Sequence, residues 1–122
     1  MPDGRSQLIP GAYSPRFQRV FAWYGARLFA KRFYAVRAAR GSAALLDAVR
    51  EEPGPVILAF NHCAWWDPMI GFHVHHRWLS GRTPCSPIDA AQLRRFRFFR
   101  KLGMFGIDPD APASLRIMGR YV

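Results

Sequence analysis

The chain has 122 residues, room for one domain, and with half of them hydrophobic and 15% aromatic it can build a core, which excludes wholesale disorder. Its 18 Lys and Arg against 8 Asp and Glu leave a formal charge of +10, so a polyanion is the favoured partner: nucleic acid, an anionic membrane or an acidic thioester carrier. No apolar run reaches the length of about 18 residues that a membrane-spanning helix needs, and Cys63 and Cys85 have neither metal-ligand spacing nor a disulfide framework, the usage of a reducing cytoplasm.

Residues 1–15 carry Pro2, Gly4, Pro10, Gly11 and Pro15 and read as an irregular lead-in, without the apolar core of a signal peptide. The segment 16–40 is predicted to be helical, basic and aromatic. Phe17, Val20, Phe21, Tyr24 and Leu28 share one face at helical spacing, and Gly25 marks a bend between two shorter helices. Arg16, Arg19, Arg27, Lys31, Arg32, Arg37 and Arg40 stud the same stretch, a pattern suited to contact with an anionic membrane surface. A second domain-like portion, 41–122, then begins. Ser42 is expected to cap a helix over 43–52 that turns Leu45, Leu46 and Val49 inward, and Pro53-Gly54-Pro55 stops it.

Val56 to Phe60 are five apolar residues, too few for a globular helix and suited to a buried strand of a parallel sheet. Asn61 and His62 stand where that strand would emerge at its carboxyl end, the position at which open α/β sheets place their chemistry. Asp67 reads as a helix cap and Pro68 as the first helical position of a helix running to Leu79. Residues 80–84 form a turn, 85–88 a weak strand and 92–102 a second basic aromatic helix. Gly103 and Gly106 break it, 108–112 is a loop, and 114–122 is helical. The expected fold class is therefore α/β: an N-terminal amphipathic helical segment, then an incomplete, mostly parallel sheet with flanking helices.

The turn between strand and helix brings His62 within reach of Asp67. Imidazole titrates near neutrality and serves as a general base, and a carboxylate on its other nitrogen fixes the tautomer and stabilises the imidazolium. Cys63 beside His62 suggests a Cys–His nucleophile, but adjacent residues in an extended turn rarely point at each other. His73, His75 and His76 share a helix without a further ligand to complete a metal site, so the expectation is no metal and an ordinary helix face.

Asn61-His62-Cys63-Ala64-Trp65-Trp66-Asp67-Pro68 resembles the His-x4-Asp motif of the glycerolipid acyltransferase family, which includes lysophosphatidic acid and glycerol-3-phosphate acyltransferases. The resemblance continues more weakly through 102–108 and corresponds to the first half of such a domain. It implies transfer of an acyl chain to a lysophospholipid or glycerol-phosphate hydroxyl at the cytoplasmic face of the membrane, by a peripheral protein. No cofactor is implied; acyl-CoA or acyl-carrier protein is the donor substrate. His62 would be the base and Asp67 its orienter, Asn61 would shape the turn, and Trp65 and Trp66 would wall a lipid pocket. Gly103 would belong to a turn leading to an arginine for the acceptor phosphate. Pro109 stands where that arginine is expected, so Arg116 or Arg120 would substitute. The family's Glu-Gly-Thr-Arg motif is missing, from which truncation at the C-terminus and poor or absent activity of this chain are expected, with an inactive truncated family member as a further alternative. The rival reading is a non-catalytic basic module for membrane or nucleic acid, resting on Arg94, Arg95, Phe96, Arg97, Phe98, Phe99, Arg100 and Lys101. It leaves the His-x4-Asp arrangement unexplained, so nucleic acid is not the expected partner.

Overall fold

The computed structural model describes residues 8–122, so the first half of the expected irregular lead-in lies outside the described residues. The fold is a small α/β one, an open two-stranded parallel sheet with flanking helices. In chain order the elements are α1 (Pro15–Arg32), α2 (Ser42–Glu51), α3 (Trp66–Trp78), β1 (Ser86–Asp89), α4 (Ala90–Arg95), a 3-10 helix (Arg97–Leu102), β2 (Met104–Ile107) and α5 (Pro112–Tyr121). They form two compact units, one containing 8–18 and Thr83–Val122, the other Arg19–Arg82. Helix α1 contributes its first residues to the former and the rest to the latter.

The strand-containing unit holds the larger part of the core. β1 and β2 pair in parallel, Ser86 opposite Met104 and Asp89 opposite Ile107, with α4 as the crossover. Leu93, Leu102, Met104 and Phe105 are buried, and α4 packs on both strands while α5 packs on β2. Gly106 was expected to break the chain but lies within β2. Ile9 exchanges backbone hydrogen bonds with it (3.0 and 2.8 Å), and a Cβ on Gly106 would come 3.1 Å from Ala90 Cα. The glycine is there because two neighbouring backbones approach closely, a role that a breaker reading does not see. Gly103 ends the 3-10 helix at φ 89°. The expected 92–102 helix is thus two pieces, separated at Phe96, whose φ of −121° and ψ of 69° leave the helical region.

The helical unit is thinner. Phe29, Met69 and Leu79 are its buried apolar residues, and α2 packs on α3 without burying any residue of its own. Five expectations are corrected here. Helix α1 ends at Arg32 rather than near 40, and it runs unbroken through Gly25, which is buried with Met69 Cε 3.5 Å from the position of a Cβ. The inward face of α1 is Phe21, Gly25 and Phe29, whereas Val20 and Tyr24 face solvent. In α2, Leu45 is exposed, and Gly41 rather than Ser42 is the capping residue.

The largest correction concerns residues 56–60, which are in no strand. Ile57 is 94% exposed and Phe60 60%. Composition marks a segment as willing to be a strand, but a strand exists only through ladder hydrogen bonds to a neighbour. The two strands among the described residues pair with each other, and 56–60 has no regular secondary structure.

Candidate functional site

The turn 61–68 lies in the helical unit, between residues 56–60 and α3. Helix α3 begins at Trp66, one residue before the expected cap, so Asp67 and Pro68 sit inside its first turn. From there the Asp67 carboxylate reaches back over the turn. Its Oδ2 accepts the backbone N–H groups of Cys63 (2.6 Å) and Ala64 (2.7 Å) and the Nδ1–H of His62 (3.1 Å). This satisfies amides ahead of the helix and sets negative charge at its positive end. The Ala64 amide first, then the His62 ring and the Cys63 amide, hold the Asp67 carboxyl below the usual carboxylate range. The expected pairing of His62 with Asp67 is present, although no strand delivers His62 to it.

With its proton on Nδ1, the His62 ring has Nε2 available as a base, and the side chain is 67% exposed. Asn61 and Cys63 are exposed in the same turn. Trp65 stacks on Trp66 with ring centroids 4.5 Å apart, and Trp66 is held edge-on by Phe33 at 4.8 Å. The two tryptophans therefore form one platform beside the dyad, of which only Trp66 is anchored to α1 and the residue following it. Gly103 and Arg116 belong to the strand-containing unit, whereas the turn belongs to the helical one. Gly103 has a local explanation, because a Cβ there would lie 2.3 Å from the Pro84 carbonyl oxygen.

Two of the histidines of α3, His73 and His75, are engaged in local contacts. His73 meets the Phe29 ring edge-on at 5.7 Å, and His75 donates from Nε2 to the Arg82 carbonyl at 2.7 Å. Burial first, with nearby cationic groups adding to it, lowers the His73 pKa; burial also lowers that of His75 against the opposing pull of the Arg82 carbonyl. No group of three His, Cys, Asp or Glu side chains able to hold a metal occurs among the described residues.

Sequence reading missed Arg82, which it placed in a plain turn. Its guanidinium donates to the carbonyls of Gly54 (2.8 Å), Val49 (3.0 Å) and Glu52, closing the C-terminal end of α2 and fixing the turn from which 55–62 departs. Three sequence-remote carbonyls converge on it, a partnership with no local signature. At the carboxyl ends of β1 and β2 an open depression is lined by Asp89, Arg94, Asp108 and Asp110. Two of these carboxylates serve the backbone: Asp89 caps α4 through Ala91 N–H (2.7 Å), and Asp108 accepts Asp110 N–H (3.0 Å).

No protein-family model, no curated protein and no solved structure matches this chain. No helix among the described residues is long and apolar enough to cross a membrane.

Proposed function

We propose that the chain carries the catalytic dyad of a glycerolipid-type acyltransferase, acting on a lysophospholipid or glycerol-phosphate hydroxyl with acyl-CoA or acyl-carrier protein as donor. The observation that carries this reading is the convergence of His62 Nδ1 and two turn amides on one oxygen of Asp67. That arrangement holds one tautomer and leaves Nε2 to take the acceptor's proton. The hydroxyl oxygen attacks the thioester carbonyl, the C–S bond breaks, and the thiolate leaves with the proton returned from the imidazolium. The acceptor oxygen is the nucleophile, so no side chain of the protein need be acylated.

The site of action in this reading is an anionic membrane surface on its cytoplasmic face, with the protein held peripherally. Support comes from the outward side of α1, where Trp23 is 62% exposed and Val20 and Tyr24 lie bare beside Arg19 and Arg27. Arg27 covers the Trp23 ring at 5.1 Å, and the helix contains five cations and no acid. A ring with a cationic rim is what the headgroup boundary accepts. The openness of His62 favours the rival, a basic module without catalysis, because an unwalled base gives an acyl donor little to be held by.

The test is acyl transfer from acyl-CoA to lysophosphatidic acid by the chain and by its His62→Ala variant. Turnover lost by at least about 100-fold in the variant is expected of a general base. Undiminished turnover in the variant removes the reading, and no turnover by the unaltered chain leaves an inactive, truncated family member in its place.

A further inference from the structure

The basic aromatic stretch of the strand-containing unit has a shape of its own. The break at Phe96 turns two rings outward: Phe96 and Phe98 are each 39% exposed. Beneath them Phe99 and Phe17 are half-buried, and the rings interlock, Phe98 on Phe99 at 4.4 Å, Phe96 edge-on to Phe99 at 6.1 Å, Phe17 against Phe98 at 6.4 Å. Leu93 and Leu102, buried on either side of the break, fix the backbone that carries them. Cations rim this knuckle. Arg95 lies over the Phe96 ring at 5.2 Å, Lys101 over Phe17 at 5.2 Å, and Arg97 stands exposed between the two projecting rings. From Ala90 to Ile107 the chain has no acidic residue. Arg94 and Arg100 have other employment, the one lining the depression with the three aspartates, the other donating from Nε to the Pro10 carbonyl at 2.8 Å.

We propose that this knuckle is a docking surface for an anionic lipid bilayer, with the Phe96 and Phe98 rings entering the headgroup boundary and Arg95, Arg97 and Lys101 meeting lipid phosphates. Charge complementarity selects an anionic partner, and the rings select a lipid surface over a single-stranded nucleic acid. Bases bind such surfaces by stacking on ring faces. Here Arg95 lies over a face of Phe96, Lys101 over a face of Phe17, and Phe98 is tilted against Phe99. A bilayer needs no bare face. It takes apolar edges a few ångströms deep with cations at the phosphate level. Because the rings are already interlocked, insertion loses little side-chain entropy. The surface is a second one, distinct in sequence from the Trp23 face of α1, and its binding does not depend on His62.

Co-sedimentation of the full chain with phosphatidylcholine vesicles, with and without phosphatidylglycerol, tests it against two variants of equal charge. One is Arg95→Gln/Arg97→Gln/Lys101→Gln. The other is Arg50→Gln/Arg77→Gln/Arg120→Gln, which removes three cations from other elements. The knuckle triple is expected to lose on the order of 100-fold in affinity for anionic vesicles, about fivefold per cation, and at least about tenfold more than the control triple. Phe96→Ser/Phe98→Ser, with the fold checked by circular dichroism, removes the apolar part alone and is expected to lose about tenfold. Equal losses in the two charge triples, or no loss in the serine variant, overturn the proposal. Tighter binding of a single-stranded oligonucleotide than of anionic vesicles, lost in the same knuckle variants, overturns it in favour of nucleic acid. His62→Ala should bind vesicles unchanged, so failure of the catalytic reading and failure of this one are told apart.

Discussion

Asp67 shows how one side chain can be both structural and chemical. Its carboxylate takes two backbone amides as well as the histidine, so removing it undoes the turn before it touches any reaction. Asp67→Ala is therefore expected to speed hydrogen exchange at the Cys63 and Ala64 amides, measured by NMR. Unchanged protection there would mean that the carboxylate does not hold the turn. Glycines give a sharper contrast. Gly41 and Gly103 both have positive φ, 85° and 89°, but nothing lies within 4 Å of a Cβ at Gly41, whereas at Gly103 the Pro84 carbonyl oxygen would be 2.3 Å away. Gly41→Ala should lower stability by about 1 kcal/mol, the left-handed penalty alone. Gly103→Ala adds a clash with backbone and should lower it by roughly 2–4 kcal/mol. Urea denaturation midpoints of the two variants check the order, and equal shifts would refute it.

At the scale of elements, the helical unit is expected to lose stability as pH falls. Asp67, His73 and His75 all belong to it, and all three have pKa values lowered on folding. A lowered pKa means that the unfolded chain binds more protons, so stability falls as pH falls. For the histidines the loss begins as pH drops below the ordinary imidazole range, when the unfolded rings charge and the packed ones resist. For Asp67 the turn's contribution is complete above the ordinary carboxylate range and is lost as pH falls through the lower folded value. Protection factors of the α3 amides, exchange rates taken relative to the intrinsic rate at each pH, should therefore fall on acidification in two stages, the histidine stage first. Protection of α3 that is flat with pH, or that rises in acid, would contradict this. Arg82 tightens the same unit by binding three carbonyls at the end of α2, which explains how a helix that buries none of its residues stays in place.

For the whole molecule the salient surface is 55–60, apolar, uncharged and without a sheet partner in a chain of charge +10. Such segments pair with one another, because their free amides and carbonyls template a ladder. Ile57→Lys should reduce concentration-dependent light scattering without loss of helical circular dichroism, since Ile57 is 94% exposed. Undiminished scattering would place self-association elsewhere. The sequence by itself determined the α/β class, and with it α3, α5, all but the last residue of the loop expected at 108–112, and the meeting of His62 with Asp67. The local features among these follow from contacts within a few residues: a helix start, a carboxylate one turn from an imidazole, apolar positions at helical spacing. Tertiary structure alone decided the rest. Whether 56–60 is a strand depends on a neighbour to pair with, whether Gly106 breaks or continues a strand depends on Ile9 and Ala90 beside it, and which side of α1 is buried depends on where Met69 lies. Arg82 belongs to the same group, for its partners are 28 to 33 residues away in sequence. Local free energies are written in short spans of residues, whereas pairing and burial depend on what distant residues bring alongside.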